Sequence, residues 1–469
     1  MDAPGTTMWR LGIVELSAVL ARREISPVEL LDATLARVER INPRLNAIIA
    51  QDPDALAAAK ESESRIARGE ARGPLEGIPL TVKDNILVRG MPATWGSKLF
   101  RDFIPDRDEL PVARLRDAGA VILGKTNVPE FTLEGYTDNP LFGVTRNPWN
   151  TDLTPGGSSG GGVASVAAGL TPATIGTDGG GSIRRPASHA GLVGMKPTTG
   201  LIARDYGFPQ ILLDFEVVGP IARTVADTSL LLKAMAGPAR RDRRSLLVAA
   251  STSVPNPIRV LYVPRFGDNP VDPEIAANCA DAVRSFESFG CRVEEGPLPF
   301  DVEPLNAIWP LFGQVGVAHL LEGKTNAEKL VGEKLANMAA EGRRVPAHRY
   351  LAAIEQVDQF RRTMRDVFDT WDVIMTPSAA ALPWPAAQPY PTEIDCKAVG
   401  PRGHAVYTGW VNACGHPGLN LPAAPSDSGL PIGFQLIGDF GADQLLLDLA
   451  SRYEAAHPWA DHWPAVAEG

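Results

Sequence analysis

The pattern of apolar and polar residues predicts helices at the start of the chain. In the segment 25–42, Ser26 suits the N-cap of a helix, Pro27 its first position and Glu29 the closing residue of a capping box. Apolar residues then recur at helical spacing at Val28, Leu31, Leu35 and Val38. A second, alanine-rich helix is expected over 53–69. We therefore expect N-terminal helices over about residues 10–70.

Short apolar runs between turn residues predict buried strands in the rest of the chain. The strand candidates lie within 77–86, 120–123, 172–178, 258–264, 372–378 and 430–438. Helical patterns lie between them, at 161–170, at 272–290 and through most of 300–370. This alternation predicts an α/β fold with a large mixed sheet. We expect one domain over 1–469, with a core at 71–240 and 370–469 and a mainly helical insert at 240–370.

Composition narrows the class of protein. The 469 residues are 44% apolar and 21% charged, and 45 basic against 55 acidic residues give a net charge of −10. This thinly spread acidity argues against a nucleic-acid groove or an anionic membrane surface as partner. The densest basic stretch, 238–245, is expected to be a solvated loop.

Cysteine usage and the N-terminus favour a cytoplasmic protein. Cys279, Cys291, Cys396 and Cys414 are scattered without metal-ligand spacing, so we expect reduced thiols in the core. The first residues have no long apolar segment of a signal peptide, and no run approaches the ~20 apolar residues of a membrane span.

Two clusters of glycine and serine, 154–161 and 176–186, are the strongest candidates for chemistry. Flexible linkers are excluded because apolar segments adjoin both clusters. Neither cluster has the lysine of a P-loop or the dinucleotide fingerprint. The G-x-S-x-G match at 156–160 follows turn residues, whereas a nucleophile elbow needs a preceding strand. Two interpretations remain, namely small residues for tight packing and a nucleophilic site.

The nucleophilic interpretation needs a serine, a base and an oxyanion hole. Ser182 follows three glycines, whose backbone N–H groups can converge on one oxyanion. A lysine can serve as the base if burial lowers its pKa toward neutrality. Lys83 ends an apolar run where such burial is expected, although a lysine at a strand end is usually only structural. Lys125, after another predicted strand, is its rival.

At this point the sequence resembles the amidase signature family over about residues 20–455. The similarity is carried by "GIPLTVKDNI", "GKTNVPEF", "GVTRNPWN", "TPGGSSGG", "GTDGGGSIRRP", "GLVGMKPTTGL", "VGPIARTVAD", "DVIMTPS" and "LPIGFQLIG", in this order. The resemblance implies a serine hydrolase of amide-type C–N bonds with a Ser–cis-Ser–Lys triad. It implies that Ser182 is the nucleophile, Ser158 the bridging serine and Lys83 the base. The oxyanion hole is then expected at the backbone N–H groups of Gly179, Gly180, Gly181 and Ser182.

Two positions depart from the family pattern, and the substrate stays open. Arg185 and His189 stand where relatives have apolar or small residues, so they are expected to alter the surroundings of the nucleophile without being catalytic. The nearly uncharged stretch 305–322 favours an apolar or aryl acyl group. Candidate pocket residues are Trp95, Trp309, Phe312 and Ile86, each of which also suits the core.

The resemblance also bears on cofactors, partners and an alternative function. It implies a small amide, anilide or carbamate substrate, with esters as further candidates, and it implies no cofactor and no metal. The seven histidines have no shared metal spacing. A homodimer would fit the family. The alternative is the amidase-like component of a glutamyl-tRNA amidotransferase, which would require partner subunits. The third interpretation is a scaffold that keeps the fold without catalysis, against which the complete set of triad residues argues.

Overall fold

A computed structural model of the chain describes residues 8–246 and 255–468. Within these ranges the α-helices are α1 Ile13–Ala21, α2 Pro27–Leu45, α3 Ala55–Arg68, α4 Leu110–Asp117, α5 Gly160–Ala167, α6 Arg184–Ala190, α7 Val225–Met235, α8 Pro273–Ser288, α9 Glu303–Leu321, α10 Ala327–Leu330, α11 Glu333–Gly342, α12 Ala347–Thr370, α13 Gly409–Cys414 and α14 Asp443–Ala456. The strands are β1 Ile48–Gln51, β2 Pro79–Lys83, β3 Val121–Thr126, β4 Ala173–Asp178, β5 Val193–Lys196, β6 Val217–Ala222, β7 Arg259–Tyr262, β8 Arg292–Glu295, β9 Val373–Pro377, β10 Glu393–Ile394, β11 Lys397–Ala398, β12 Gly418–Pro422 and β13 Gly433–Gly438.

Eleven of the described strands form one mixed sheet in the order β1-β3-β2-β4-β6-β5-β12-β13-β9-β7-β8. The pairs of β2 with β3 and β4, and of β7 with β8 and β9, are parallel, and the remaining pairs are antiparallel. The α/β fold with a large mixed sheet is therefore confirmed. Strands β10 and β11 form a separate hairpin.

Helices cover both faces of this sheet, as the packing around β3 illustrates. Val121 and Leu123 belong to a core cluster with residues of α2, α3 and α5. Ile122, which points to the opposite face of the strand, packs in the main core with residues of α1, α4 and α7. Strands buried on both faces are nearly continuous apolar runs. Burial on both faces explains why several strands could be predicted from uninterrupted apolar segments of the sequence.

The N-terminal helix α2 begins as its sequence predicts. The Glu29 N–H donates to Ser26 Oγ at 3.1 Å, and the Ser26 N–H donates to Glu29 Oε2 at 2.7 Å, which completes the capping box. Pro27 occupies the first turn. Leu31 and Val38 are buried, so the predicted apolar face is the one that packs inward.

The segment 255–370 contributes to the sheet as well as to helices. Strands β7 and β8 extend one edge of the sheet, and α9 to α12 follow them. Cys279, Cys291 and Cys414 are buried free thiols, as expected. The expectation was wrong for Cys396, which is exposed in the short link between β10 and β11, where little packs over it. Within the described ranges, no helix is both long and apolar enough to cross a membrane.

Candidate active site

The candidate site lies where two parallel strands end side by side. Lys83 is the last residue of β2 and Asp178 the last residue of β4, and these strands pair in parallel. Because carboxyl ends of parallel strands meet at one edge of a sheet, the loops that follow both strands converge there. The loop after β4 carries the second glycine–serine cluster and leads into α6.

Lys83 is enclosed by hydroxyl and carbonyl groups. Its Nζ donates to Ser158 Oγ at 2.9 Å, to the Thr177 carbonyl at 3.0 Å and to Thr177 Oγ1 at 2.9 Å. The side chain is buried, with a relative exposure of 1%. Burial lowers the pKa of Lys83 to about 7, although the charges of Glu216 and Asp178 oppose this shift. Lys83 can therefore exchange a proton near neutral pH.

Ser158 lies between Lys83 and the loop that carries Ser182. The peptide bond between Gly157 and Ser158 is cis. The next residue ties the two clusters together, since the Ser159 N–H donates to the Ser182 carbonyl at 3.2 Å. Ser182 Oγ makes no hydrogen bond to any described residue and borders a cavity. The clusters that are separate in the sequence are thus adjacent in space.

The amides of the glycine run divide into two groups. The Gly181 N–H donates to Asp178 Oδ1 at 2.6 Å. The N–H groups of Gly179, Gly180 and Ser182 have no acceptor among the described residues. The strand-end carboxylate therefore occupies the Gly181 amide in this structure, and the contribution of Gly181 to an oxyanion hole stays a prediction that this contact disfavours. The other three amides are available to an incoming oxygen.

Both sides of the Gly180–Gly181 peptide are held by side chains. Asp178 accepts a hydrogen bond from the Gly181 N–H. The Gly180 carbonyl accepts hydrogen bonds from Arg185 Nη1 at 2.5 Å and from Thr408 Oγ1 at 2.7 Å. Arg185 Nη1 also donates to Thr408 Oγ1 at 3.0 Å. These contacts fix the orientation of the peptide next to the nucleophile candidate.

Asp178 is itself fixed by a buried ion pair. Arg184 donates from Nη2 to Asp178 Oδ1 at 3.0 Å and from Nε to Oδ2 at 3.1 Å. Asn412 Nδ2 donates to Oδ1 at 2.9 Å. Burial alone would raise the pKa of Asp178, but the Arg184 charge and these hydrogen bonds lower it below its usual range. Asp178 therefore stays ionised beneath the glycine run.

A second charged network borders Lys83 on the other side. Arg204 forms ion pairs with Glu109 at 2.7 Å and with Glu216 at 2.8 Å. Asn85 Nδ2 donates to Thr177 Oγ1 at 3.0 Å and to Glu216 Oε2 at 3.3 Å. Arg204, Asn85 and Thr177 thus connect the Glu216 carboxylate to the surroundings of the lysine. Sequence reasoning missed this network, because its members lie far apart along the chain.

The cavity that reaches Ser182 has a volume of about 250 Å³. Its wall includes Leu212, Trp309 and Met338, and the Trp309 ring lies against Gly180. The expectation of an apolar wall is right for Trp309. The expectation does not extend to Ile86, Trp95 and Phe312, which pack in the core, the placement that the sequence favoured for each of them. It is also incomplete, because charged side chains line the cavity too, namely Glu134, Arg185, Glu216, Lys334 and Arg402.

Lys125, the rival base, has a different environment. Its Nζ donates to the Ile86 carbonyl at 2.7 Å and lies 3.5 Å from Asp84 Oδ1. Neither contact leads to a serine, so Lys125 supports the loop after β2. Small residues serve packing too, because a Cβ at Gly161 in α5 would lie 2.4 Å from the Asn127 nitrogen. Both interpretations of the first glycine–serine cluster are thus compatible with its structure.

The last two expectations from the sequence concern His189 and metal binding. His189 lies in α6, which follows the loop that carries Ser182; its Nε2 contacts the Ala381 carbonyl at 3.1 Å, and its ring packs edge-on against Trp384. Burial lowers the pKa of His189 to about 4, so this ring is neutral at physiological pH. Over the described residues, no group of three or more His, Cys, Asp or Glu side chains is placed to hold a metal ion.

Comparison with known proteins identifies the family. A family model described as Amidase matches residues 29–447. An acylamidase from Rhodococcus erythropolis is 36% identical, over 97% of this chain and 97% of its own. A component of the glutamyl-tRNA(Gln) amidotransferase from Methylococcus capsulatus is 35% identical, over 98% of this chain and 99% of its own. Among solved structures, a bacterial aryl acylamidase of the amidase signature family has a TM-score of 0.89 and 28% identity, with 98% of each chain covered. The chain therefore belongs to the amidase signature family and is a hydrolase of that family.

Proposed function

We propose that this protein hydrolyses the C–N bond of a small amide through an acyl-enzyme on Ser182. The observation that carries the proposal is the 2.9 Å hydrogen bond from a buried lysine, Lys83, to Ser158 Oγ beside the Ser182 loop. A serine hydroxyl needs a base to act as a nucleophile, and burial gives Lys83 a pKa of about 7.

In the first part of the proposed acylation, two protons are transferred while a C–O bond forms between Ser182 and the substrate. Ser182 Oγ attacks the amide carbonyl carbon, its proton passes to Ser158 Oγ, and the Ser158 proton passes to neutral Lys83. The Ser158–Ser182 contact closes when substrate binds, as catalytic hydrogen bonds commonly do. The N–H groups of Gly179, Gly180 and Ser182 stabilise the oxyanion, and each such donor is typically worth a factor of about 10²–10³ in rate.

Collapse of the tetrahedral intermediate breaks the C–N bond. The proton held by Lys83 returns through Ser158 to the leaving nitrogen, which departs as a free amine. Water then attacks the acyl-enzyme by the same proton path, so that the carboxylic acid leaves and Ser182 is regenerated. The reaction consumes one water and needs no redox partner.

The proposed substrate has an apolar or aryl part, such as an anilide, an aryl amide or a carbamate. Trp309 in α9 and Leu212 offer this part an apolar wall beside the glycine run. The similarity to an acylamidase and to an aryl acylamidase points in the same direction.

A second candidate function is that of the amidase-like component of a glutamyl-tRNA amidotransferase. It is favoured by relatives of that kind that match 97–98% of this chain at 33–35% identity. Such a component would release ammonia from glutamine for partner subunits. Activity confined to glutamine, or copurification with partner subunits or tRNA, would support this second candidate function.

The test is hydrolysis of a substrate panel by the purified protein and by Ser182→Ala. The panel contains 4-nitroacetanilide, benzamide, glutamine, a nitrophenyl carbamate and a nitrophenyl ester. We expect cleavage of the aryl substrates by the wild type and none by Ser182→Ala. Equal rates in both proteins would contradict the proposal, because the nucleophile would then be dispensable.

A further inference from the structure

Among the charged side chains that line the cavity, two cations have no carboxylate as an ion-pair partner. Glu216 is paired with Arg204 at 2.8 Å, and Glu134 is paired with Lys334 at 2.5 Å. Each cavity carboxylate therefore already has an ion-pair partner, although Arg204 is shared between Glu216 and Glu109, which does not line the cavity. The cations that remain at the cavity wall are Arg185 and Arg402.

Arg185 is buried without a carboxylate partner. Its relative exposure is 7%, and its hydrogen bonds go to two neutral oxygens, the Gly180 carbonyl and Thr408 Oγ1. Its Nε is buried and has no acceptor among the described residues. A buried charge is normally paired, so this guanidinium retains unused capacity for an anion.

Arg402 is the second unpaired cation, and it belongs to another part of the chain. Its guanidinium carbon lies 5.2 Å from the centroid of the Trp309 ring, and it makes no ion pair with a described residue. The same Trp309 ring lies against Gly180, whose carbonyl Arg185 binds. The two guanidinium groups thus flank one wall of the cavity next to Ser182.

The electrostatics of the cavity wall agree with this geometry. Burial lowers the pKa of Arg185 to about 9, and the nearby charge of Arg402 acts in the same direction. Burial also lowers the pKa of His404, which lines the cavity and is therefore neutral. Two like charges that destabilise each other are stabilised when an anion binds between them.

We propose that the cavity selects amide substrates that carry a carboxylate, which Arg402 and Arg185 bind while Leu212, Trp309 and Met338 contact the hydrocarbon part. This inference rests on the proposed amidase function and narrows its substrate class. An arginine guanidinium matches the planar geometry of a carboxylate, so one arginine can bind both of its oxygens. A cavity of about 250 Å³ admits a small molecule of this kind.

Two matched substrate pairs test the proposal on both sides of the scissile bond. On the acyl side, succinanilate is compared with pentananilide. On the amine side, 4-acetamidobenzoate is compared with 4-methylacetanilide. We expect the carboxylate member of at least one pair to have the higher kcat/KM, by about 10- to 100-fold, as expected from a hydrogen bond to a charged group. This preference should shrink as ionic strength rises.

Arg402 variants identify the source of that preference. Arg402→Gln should remove most of the preference, Arg402→Glu should reverse it, and Arg402→Lys should keep part of it. The readout is the ratio of kcat/KM between the charged and the neutral member of each pair, because any effect of Arg402 on the Trp309 wall is common to both members. The double variant Lys334→Gln with Glu134→Gln is the matched control, because it removes a cavity-lining cation together with its carboxylate partner and leaves the net charge of the wall unchanged, so the ratio should stay the same.

Direct binding separates this inference from the proposed function. The Ser182→Ala variant is titrated calorimetrically with both members of each substrate pair, with and without Arg402→Gln. Tighter binding of the anion that Arg402→Gln abolishes supports the inference even if no compound is turned over. Ser182-dependent hydrolysis with equal rates and equal affinities within each pair overturns the inference and leaves the amidase function intact. Rates that do not depend on Ser182 overturn the proposed function instead.

Discussion

Lys83 Nζ and Ser158 Oγ are hydrogen-bonded at 2.9 Å although 75 residues separate them along the chain. The contact depends on the sheet, because β2 delivers Lys83 to the same edge at which β4 ends. Burial at this edge changes the lysine from a permanent cation into a group that titrates near pH 7. Burial of Lys83 therefore sets the pH range in which the proposed proton transfer from Ser158 to Lys83 can occur.

The activity of the wild type should rise with pH around neutrality. Lys83 must be neutral to accept a proton, and its pKa is lowered to about 7. Because the base form increases as pH exceeds this pKa, kcat/KM for an amide should increase between about pH 6 and 8 and then level off. Steady-state rates from pH 5 to 9 measure this rising limb of the pH profile. Lys83→Ala should lose most of the activity together with the limb, and an unchanged profile in this variant would rule out Lys83 as the base.

Removing the charge of Glu216 should move that limb to lower pH. Glu216 opposes the effect of burial on Lys83, and it also neutralises Arg204. In Glu216→Gln, the loss of the anion disfavours the protonated lysine, and Arg204, which then pairs with Glu109 alone, disfavours it further, so the pKa of Lys83 falls. The pH profile of kcat/KM reports the shift. Glu134→Gln is the control, since Glu134 lines the same cavity but pairs with Lys334; a shift of equal size there would contradict the explanation.

A methyl group on Gly180 should slow the reaction by crowding Trp309. A Cβ at Gly180 would lie 3.2 Å from Trp309 Cζ2, closer than an ordinary contact. Gly180→Ala should displace the ring or the proposed oxyanion amide and reduce kcat by about 10- to 100-fold, up to the lower end of the range of about 10²–10³ for losing one oxyanion donor. Gly180→Ala combined with Trp309→Leu should recover part of this loss. A double variant as slow as the product of the two single effects would argue against steric coupling.

The buried pair of Asp178 and Arg184 should make a large contribution to stability. Neither side chain is exposed, so Arg184→Met leaves an unpaired buried carboxylate and should lower the free energy of unfolding by about 3–5 kcal/mol. Chemical denaturation measures this change. The partly exposed pair of Arg259 and Asp372 is the control, and Arg259→Met should cost no more than about 1 kcal/mol. The double variant Asp178→Asn with Arg184→Met should be more stable than Arg184→Met alone.

Local sequence patterns predicted six of the eleven strands of the sheet, namely β2, β3, β4, β7, β9 and β13, and missed β1, β5, β6, β8 and β12. Lys83 and Ser182 could be selected because they adjoin an apolar run and a glycine run, whereas Ser158 was selected only through the resemblance to the amidase signature family. Their catalytic roles, the single-domain organisation, a homodimer and a cytoplasmic location stay predictions. The occupation of the Gly181 amide by Asp178 could not be foreseen, since it depends on the turn that the backbone makes after β4.

The cavity wall was the least predictable part of the site. Arg402 precedes α13 in a region with no regular apolar period, and only the folded chain brings it over the Trp309 ring. Phe312 lies three residues after Trp309, and both rings pack against Phe215, but only Trp309 also borders the cavity. Residue type therefore identified candidates for the wall, but the rotation of α9 about its axis decided which of them reach the cavity.

Part of the cavity wall comes from segments of the chain that contain none of the proposed reacting groups. Lys83, Ser158 and Ser182 belong to one continuous third of the sequence, whereas Trp309, Met338 and Arg402 belong to later segments. Substitutions in these later segments can therefore change which molecules are accepted while the bond-breaking machinery stays intact. Such a separation allows new substrate preferences to evolve, or to be engineered, by altering residues 303–342 and 401–405 alone.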